Sequence, residues 1–162
     1  MPEESPKLRI AVGADHAGLH VKEAVKAYLE GAGHTVSDVG TWSEESVDFP
    51  DYAKKVAEAV ARGEADLGIL SCGSGIGMAI AANKVAGIRA ATVNDLIAAR
   101  AAREHNNANV LALGGRIVEP AQAVEIVRAF LAVSFKGGRH QRRVEKIAEM
   151  DAARPARKGT AA

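Results

Sequence analysis

Features that several protein classes require are scarce in this sequence. It contains one cysteine, so it cannot form an internal disulfide, and it lacks the ligand spacing of a zinc site. A reducing compartment, by default the cytoplasm, is therefore the expected location. The 21 Lys and Arg residues nearly balance the 20 Asp and Glu residues. The net charge of +1 creates no global field that attracts nucleic acid or a membrane surface.

Long apolar segments are absent as well. No run approaches the roughly 20 residues of a membrane-spanning helix. The opening residues, MPEESPK, are polar and lack the apolar region of a signal peptide. The 48% hydrophobic and 25% charged residues are ordinary for a globular protein, and 162 residues suffice for one domain. We expect a flexible N-terminus over 1–7, a single domain over 8–150 and a disordered tail over 151–162.

The spacing of apolar residues alternates between strand-like and helix-like along the domain. Short β-rich runs predict strands at 8–13, 35–39, 67–72, 88–93 and 109–113. Helical spacing predicts helices at 19–31, 52–62, 76–84, 96–104, 121–132 and 139–150. The polar segment 40–51, with Pro50 near its end, is predicted to be a loop. This alternation is typical of an α/β fold whose five-stranded parallel sheet is covered by helices on both faces.

The segment 67–83 carries the clearest functional signal. A predicted strand ends at Cys72, three alternate glycines follow within 73–77, and a helix begins. Small residues let the backbone approach a ligand, and the start of a helix presents unpaired N–H groups. Cys72 is a candidate nucleophile or base there, with a buried structural cysteine as the alternative. The turn can hold a developing oxyanion, or it can be a plain tight turn.

Other polar residues are predicted at the same edge, because ligands of parallel α/β sheets bind beyond the carboxyl ends of the strands. We expect this edge to gather Asp15 with His16, the segment 71–77, His105 with Asn106, and Gly115 with Arg116. Histidines can act as acid or base near neutral pH, and Arg116 can bind an anion. Asp15 can orient a histidine, contact hydroxyl groups or cap a helix.

A basic cluster and two local features complete the candidates. Arg139 and Arg143 share a helix face and can grip a phosphate, although a solvated helix face is the alternative. Asn94 or Asp95 caps the helix at 96–104. The loop at 40–51 also contains two aromatic residues, Trp42 and Phe49, which cap the site or pack against a partner.

Seven motifs in order resemble one known family. They are GADHAG at 13–18, DFPDYA at 48–53, SCGSGIG at 71–77, AANK at 81–84, REHNNAN at 103–109, LGGR at 113–116 and GRHQRRV at 138–144. They resemble the ribose/galactose isomerase B family over residues 8–150. The resemblance implies a Rossmann-like three-layer α/β/α sandwich and a homodimer, in some members a tetramer. It also implies interconversion of ribose 5-phosphate and ribulose 5-phosphate, with no cofactor and no metal.

The resemblance also implies a role for each matching residue. Cys72 would be the base that moves a proton between C2 and C1, and His105 would help to open the sugar ring. The enediolate would be held by Ser74 and the amides of Gly73, Gly75, Ile76 and Gly77. Asp15 would contact the sugar hydroxyls, and Asn106 would bind substrate or order the same oxygen. The phosphate region would comprise His16, Arg116, Arg139 and Arg143, the last two reaching the neighbour's site across the dimer.

Two departures and two alternatives belong with this interpretation. One branch of the family lacks the cysteine and has a glutamate where this chain has Met78, so the chain falls in the cysteine branch. Where the family often has tyrosine, this chain has Phe49, and any role of a hydroxyl is lost there or passes to another residue. The alternatives are an isomerase of six-carbon sugar phosphates, such as allose 6-phosphate or galactose 6-phosphate, and a non-catalytic sugar-phosphate-binding protein.

Overall fold

The computed structural model describes residues 5–153. Its strands are β1 Arg9–Ala14, β2 Thr35–Asp38, β3 Leu67–Cys72, β4 Ala90–Thr92 and β5 Val110–Gly114. Its helices are α1 Leu19–Gly31, α2 Phe49–Ala61, α3 Ile76–Ala82, α4 Leu96–Glu104, α5 Pro120–Leu131 and α6 Arg139–Ala152. Most of the predicted flexible N-terminus and disordered tail lies outside the described residues.

The five strands form one parallel sheet in the order β2-β1-β3-β5-β4. The predicted α/β sandwich with a five-stranded parallel sheet is thus confirmed. Strand β5, the last in the chain, lies between β3 and β4, and its register pairs Gly114 with Cys72. After β1, the chain forms β2 on one side of β1 and then β3 on its other side. This reversal opens a crevice at the carboxyl ends of β1 and β3, where ligands of such folds bind.

Alternate residues of each strand supply two separate cores. Ile69 and Leu111 pack on the face that carries α1, α4 and α5. Leu70, Cys72 and Ala112 pack on the face that carries α2 and α3. This alternation follows from the two-residue repeat of a strand. It places the Cys72 side chain on the same side of the sheet as the first turns of α2 and α3.

Helix α2 begins at Phe49, three residues before the predicted start. Pro50 occupies the first turn of the helix rather than the end of a loop. Proline is suited to this position, because the N–H group that it lacks has no partner in the first turn of a helix. The earlier start matters for the site, since it brings the Phe49 ring into contact with α3. At the other end of the chain, α6 continues two residues beyond its predicted end, to Ala152.

A buried lysine fixes the loop that follows β2. The Lys22 ammonium donates hydrogen bonds to both carboxylate oxygens of Asp38, at 2.9 and 3.0 Å, and to the carbonyl oxygen of Thr41. Only 1% of the lysine side chain and 7% of the Asp38 side chain are exposed. Thr41 in turn donates its N–H to the Ala14 carbonyl at 2.7 Å, at the end of β1. The ion pair therefore supports the backbone directly before Asp15.

Candidate active site

Cys72 is the last residue of β3 and is held by hydrogen bonds on both its backbone and its side chain. Its carbonyl accepts from the Gly115 N–H at 2.7 Å, which ties the end of β3 to the turn after β5. Its sulfur accepts from the Gly75 N–H at 3.2 Å. The side chain is 5% exposed, yet it lines a cavity. The thiol is both part of the core and accessible from the site.

The glycine turn lies directly on the end of β5. Gly75 has a φ of 82°, in the left-handed region where glycine is favoured. A Cβ atom at Gly114 would lie 2.8 Å from the Ser74 backbone, so a side chain there would displace the turn. Within the turn, the Ile76 N–H donates to Ser74 Oγ at 3.2 Å. Two of the predicted oxyanion-binding amides, Gly75 and Ile76, thus have partners in this structure, the cysteine sulfur and the serine hydroxyl.

Asp15 closes the turn between β1 and α1. Its Oδ1 accepts from the N–H groups of Ala17 and Gly18, at 3.0 and 3.1 Å. The Asp15 N–H donates to the Ser71 carbonyl at 3.1 Å, which joins this turn to β3 beside Cys72. The carboxylate therefore has a structural role in the turn, although Gly18 and not Asp15 is the N-cap of α1, and it also lines the same cavity as the thiol.

His16 is oriented by the loop after β2. The Val47 N–H donates to His16 Nδ1 at 3.2 Å. A nitrogen that accepts a hydrogen bond carries no proton, so the neutral ring carries its proton on Nε2. The ring is therefore prepared to donate from Nε2 to an oxygen of a ligand.

A cavity of about 370 Å³ lies at this edge of the sheet. It is lined by Asp15, Phe49, Cys72, Gly73, Ser74, Gly77, Arg116 and Ile117. The Phe49 ring closes one side: a Cβ at Gly77 would lie 2.6 Å from its Cζ atom. The Arg116 guanidinium lies over the turn, with Nη1 3.2 Å from where a Cβ of Gly73 would be. The cavity thus combines a thiol, a hydroxyl, a carboxylate and a guanidinium within one small volume.

The expectation that His105 and Asn106 lie at this same edge is wrong within one chain. Both residues lie on the connection from α4 into β5, whereas Arg116 follows β5. In a parallel sheet, connections that enter strands lie at the amino edge and connections that leave them lie at the carboxyl edge. The five residues of β5 separate the two edges by about 13 Å. The prediction failed because ligand sites lie beyond the ends of strands, whereas His105 and Asn106 precede β5.

The start of α6 packs beside His105. The rings of His105 and His140 are stacked, with centroids 4.6 Å apart. Lys136 also contacts Glu104, through an ion pair of 3.0 Å and a backbone hydrogen bond of the same length. The pKa of His140 is lowered, first by loss of solvation and then by the positive charge of neighbouring groups, including His105, Arg139 and Arg143. Arg139 and Arg143 therefore belong with His105 and not with the cavity around Cys72.

A second cavity, of about 410 Å³, lies between α6 and the amino edge of the sheet. Its lining includes Arg89, Asn106, Ile147, Met150 and Asp151. Its larger volume does not make it the better catalytic candidate, because it holds no thiol and no glycine turn. It shows instead that α6 covers this edge incompletely.

Thr92 and Asn94 contact the glycine turn, which the sequence did not indicate. Asp95, and not Asn94, caps α4, with its Oδ1 accepting from the Ala98 N–H at 2.7 Å. Asn94 instead donates to the Ser74 carbonyl at 3.2 Å and accepts from the Gly114 N–H at 2.8 Å. Thr92 Oγ1 donates to the Gly75 carbonyl at 3.0 Å. Polar residues at the carboxyl end of a strand are a signal for such contacts, but only the strand order shows that β4 lies near the turn.

Two absences apply to residues 5–153. No cluster of three His, Cys, Asp or Glu side chains there has the geometry to hold a metal ion. No helix in that range is long and apolar enough to cross a membrane.

Comparison with known proteins gives a consistent result. Residues 10–147 match a family model described as Ribose/Galactose Isomerase. A protein of Escherichia coli K12 named ribose-5-phosphate isomerase B is 50% identical over 143 residues, which cover 88% of this chain and 96% of that protein. The structure of Clostridium thermocellum ribose-5-phosphate isomerase B superposes with a TM-score of 0.88 at 50% identity, covering 90% of this chain and 98% of the other.

A further solved structure includes a ligand. It is ribose-5-phosphate isomerase B from Mycoplasma genitalium with bound ribulose-5-phosphate. It is 42% identical to this chain, with a TM-score of 0.85, and the match covers 89% of this chain and 96% of that one.

Proposed function

This chain belongs to the ribose/galactose isomerase family, and we propose that it interconverts D-ribose 5-phosphate and D-ribulose 5-phosphate through an enediolate. The observation that carries the proposal is the contact between the Gly75 N–H and Cys72 Sγ at the wall of the cavity. It places a base and a set of amide donors at one point, as an aldose–ketose isomerisation requires.

The proton transfer is assigned to Cys72. Its thiolate removes the proton from C2 of the open-chain aldose, and the electron pair moves to make the C1–C2 double bond of the enediolate. The same thiol then returns the proton to C1 while the hydroxyl proton passes from O2 to O1, which yields the ketose. Negative charge that develops on the substrate oxygen is stabilised by Ser74 and the amides of Gly73–Gly77. The cysteine acts as a base throughout and forms no bond to the sugar carbon.

The remaining groups bind and open the sugar. Asp15 contacts hydroxyl groups, while His16 and Arg116 bind the phosphate from the carboxyl edge. His105 transfers the proton that opens the ring. Because phosphate binding is remote from the reacting carbons, it supplies energy for orienting them.

A second copy of the chain would complete this site. In one chain, His105, Asn106, Arg139 and Arg143 lie at the amino edge, away from Cys72. We therefore propose a homodimer in which each chain places these four residues over the partner's cavity. The dimer is the minimum assembly on this argument, and a tetramer of two such dimers is compatible with it.

Exposed apolar side chains support an interface at both edges. At the carboxyl edge, five side chains are at least 50% exposed: Ile76, Ile80, Leu96, Ile97 and Ile117. On α6, Val144 is the one buried residue, while Ile147 and Met150 are exposed. A helix so lightly packed on its own chain gains stability from further packing, and clustered exposed apolar residues mark interaction sites.

The setting of the reaction is also part of the proposal. The single cysteine and the metabolic reaction favour a cytoplasmic location. The proposed reaction needs no cofactor, because proton transfer at carbon needs only the base and the oxyanion donors described above.

Direct assay distinguishes this function from its two alternatives. Purified protein is incubated with ribose 5-phosphate, and ribulose 5-phosphate is measured, with allose 6-phosphate and galactose 6-phosphate compared at equal concentration. We expect the five-carbon substrate to give the highest kcat/KM. A clear preference for a six-carbon sugar phosphate overturns the substrate assignment. Binding of ribose 5-phosphate without turnover identifies a binding protein instead.

A further inference from the structure

We propose that Thr92 and Asn94, at the carboxyl end of the edge strand β4, are positioning residues that orient the two peptide groups facing Cys72 and Ser74. The inference rests on the proposed function for its catalytic consequence, but its geometry stands on contacts within the chain. Neither residue was a candidate for the chemistry on sequence grounds.

Asn94 connects three elements with one side chain. It follows β4, which is separated from β3 by β5. Its amide nitrogen donates to the Ser74 carbonyl, at 3.2 Å, and its amide oxygen accepts from the Gly114 N–H, at 2.8 Å. The turn after β3 is thereby attached to the end of β5 and to the start of α4.

Asn94 holds the carbonyl oxygen of Ser74 and Thr92 that of Gly75, and the orientation of the N–H group in each peptide follows. A trans peptide group is planar, and its C=O and N–H bonds point in opposite directions. In the Ser74–Gly75 peptide, the oxygen is held by Asn94 and the N–H donates to Cys72 Sγ. The oxygen side faces β4 and the N–H side faces the proposed base.

The next peptide repeats the arrangement. In the Gly75–Ile76 peptide, the carbonyl oxygen accepts from Thr92 Oγ1 at 3.0 Å and from the Ala79 N–H of α3 at 3.2 Å. The N–H of the same peptide donates to Ser74 Oγ at 3.2 Å. Thr92 and Asn94 therefore orient, from the far side, the two amides that contact the proposed base and the proposed oxyanion donor.

The Ser74–Gly75 peptide most needs such support, because the first hydrogen bond of α3 goes to the Gly75 carbonyl and not to the Ser74 carbonyl. Glycine occupies left-handed and right-handed conformations at similar cost, so a peptide next to Gly75 can rotate without a steric penalty from a Cβ atom. Rotation of the Ser74–Gly75 peptide would turn a carbonyl oxygen toward the sulfur and the enediolate, where it would repel negative charge. Side chains that hold the carbonyl oxygens prevent this.

Two conservative variants test the proposal. Asn94→Asp keeps an acceptor for the Gly114 N–H but loses the donor to the Ser74 carbonyl. Thr92→Val keeps the shape of the side chain but loses its hydroxyl, and Thr92→Ser restores the hydroxyl. We expect Asn94→Asp to lower kcat for ribose 5-phosphate roughly ten- to hundredfold with a small change in KM, since an oxyanion donor is misdirected while phosphate binding persists. Thr92→Ser should retain most of the activity that Thr92→Val loses.

The matched control is Asp95→Ala. It removes the cap of α4 one residue further along, so it lowers the melting temperature by a few degrees without touching the turn. Its kcat should equal that of the unmodified protein. If Asp95→Ala and Asn94→Asp lose the same activity at the same loss of melting temperature, the effect is general destabilisation and the proposal is overturned.

A second readout does not depend on isomerase activity. Cys72 is the single cysteine, so its rate of alkylation by iodoacetamide reports on one sulfur. Thiolates, which are the reacting form, accept hydrogen bonds more strongly than thiols do. The proposal predicts slower alkylation in Asn94→Asp at neutral pH, because the Gly75 N–H no longer faces the sulfur. A turn that is merely loosened exposes the sulfur and gives faster alkylation, which contradicts the proposal.

The two readouts separate the two hypotheses. Protein that does not isomerise ribose 5-phosphate, yet shows slower alkylation in Asn94→Asp, refutes the proposed function and supports the positioning role. Active protein whose kcat and alkylation rate are both unchanged in Asn94→Asp and Thr92→Val retains the proposed function and loses the positioning role.

Discussion

Cys72 and His105 lie beyond opposite ends of strand β5. Cys72 pairs with Gly114 at the carboxyl end of that strand, while His105 precedes the strand at the amino edge. A proton-transfer reaction that uses both residues on one sugar requires them to be within reach of the same molecule. One chain does not bring them together, so the roles proposed for both residues require a second chain.

Mixing two inactive variants tests this requirement. Cys72→Ala and His105→Ala should each be inactive alone. If each site combines Cys72 of one chain with His105 of the other, a random mixture of the two variants contains hybrid dimers with one intact site. We expect about a quarter of the unmodified activity after the two chains are unfolded, mixed and refolded together. No recovery, with hybrid dimers confirmed by mass spectrometry, would place both residues in one chain's site.

Loss of the thiol should stop proton exchange but not binding. In Cys72→Ala, transfer of deuterium from solvent into the C1 position of ribulose 5-phosphate should fall by at least about a thousandfold, since the general base is removed. The dissociation constant for ribose 5-phosphate should change little, because the phosphate contacts remain. Proton NMR measures the exchange and calorimetry the binding. Exchange that persists in this variant would assign the base to another residue.

Arg139 should contribute to substrate affinity rather than to proton transfer. Arg139→Ala should raise KM roughly tenfold and leave kcat nearly unchanged, as expected for a charge-assisted phosphate contact. Arg142→Ala is the matched control, because Arg142 is an exposed arginine of the same basic cluster to which no phosphate contact is assigned. Steady-state kinetics on both variants give the KM and kcat values that test this role. Equal KM values would show that Arg139 is a solvated arginine.

Removal of the buried Lys22 charge should lower the free energy of unfolding more than removal of an exposed charge does. Lys22→Met leaves the Asp38 carboxylate buried with only Lys26, at 3.4 Å, as a cationic partner. Breaking one side of a buried ion pair is expected to cost about 3 kcal/mol of unfolding free energy, measured by urea denaturation. Lys26→Met, which removes the more exposed partner, is the control and should cost less than about 1 kcal/mol.

The same variant has a defined dependence on pH. Burial raises the pKa of Asp38, but hydrogen bonds from Lys22 and Gly40 and the lysine charge outweigh it, so the pKa is lowered from 3.8. A carboxyl group with a lowered pKa contributes stability above pH 3.8 and loses it as the pH falls through the folded-state value. The difference between Lys22→Met and the unmodified protein should therefore shrink in acid. A difference that grows below that pH would contradict this assignment.

Much of the fold was predictable because local sequence sets it. Helix α4 has the bounds that were predicted, and β3 with its glycine turn is found where the spacing placed it. Pro50 was assigned to a loop because the segment before it is polar, whereas it occupies the first turn of α2, a position to which proline is suited.

The candidate site was less predictable because it depends on strand order. The position of β5 between β3 and β4 brings Asn94 to the turn. No local pattern encodes that order, since it results from long-range packing of helices on both faces of the sheet. Asp15 and Arg116, at the ends of the strands next to β3, could be predicted beside Cys72, whereas the contacts that Thr92 and Asn94 make from β4 could not.

The central place of β5 also constrains how the chain becomes active during synthesis. A chain that has not yet reached Val110 can pair β1, β2 and β3, but one side of β3 has no neighbour. All six residues of β3 are buried in the finished sheet. An open apolar strand edge is a site for pairing with other chains, so such nascent chains are candidates for chaperone binding. The glycine turn likewise acquires its support from Gly114 and Gly115 only when this last strand inserts.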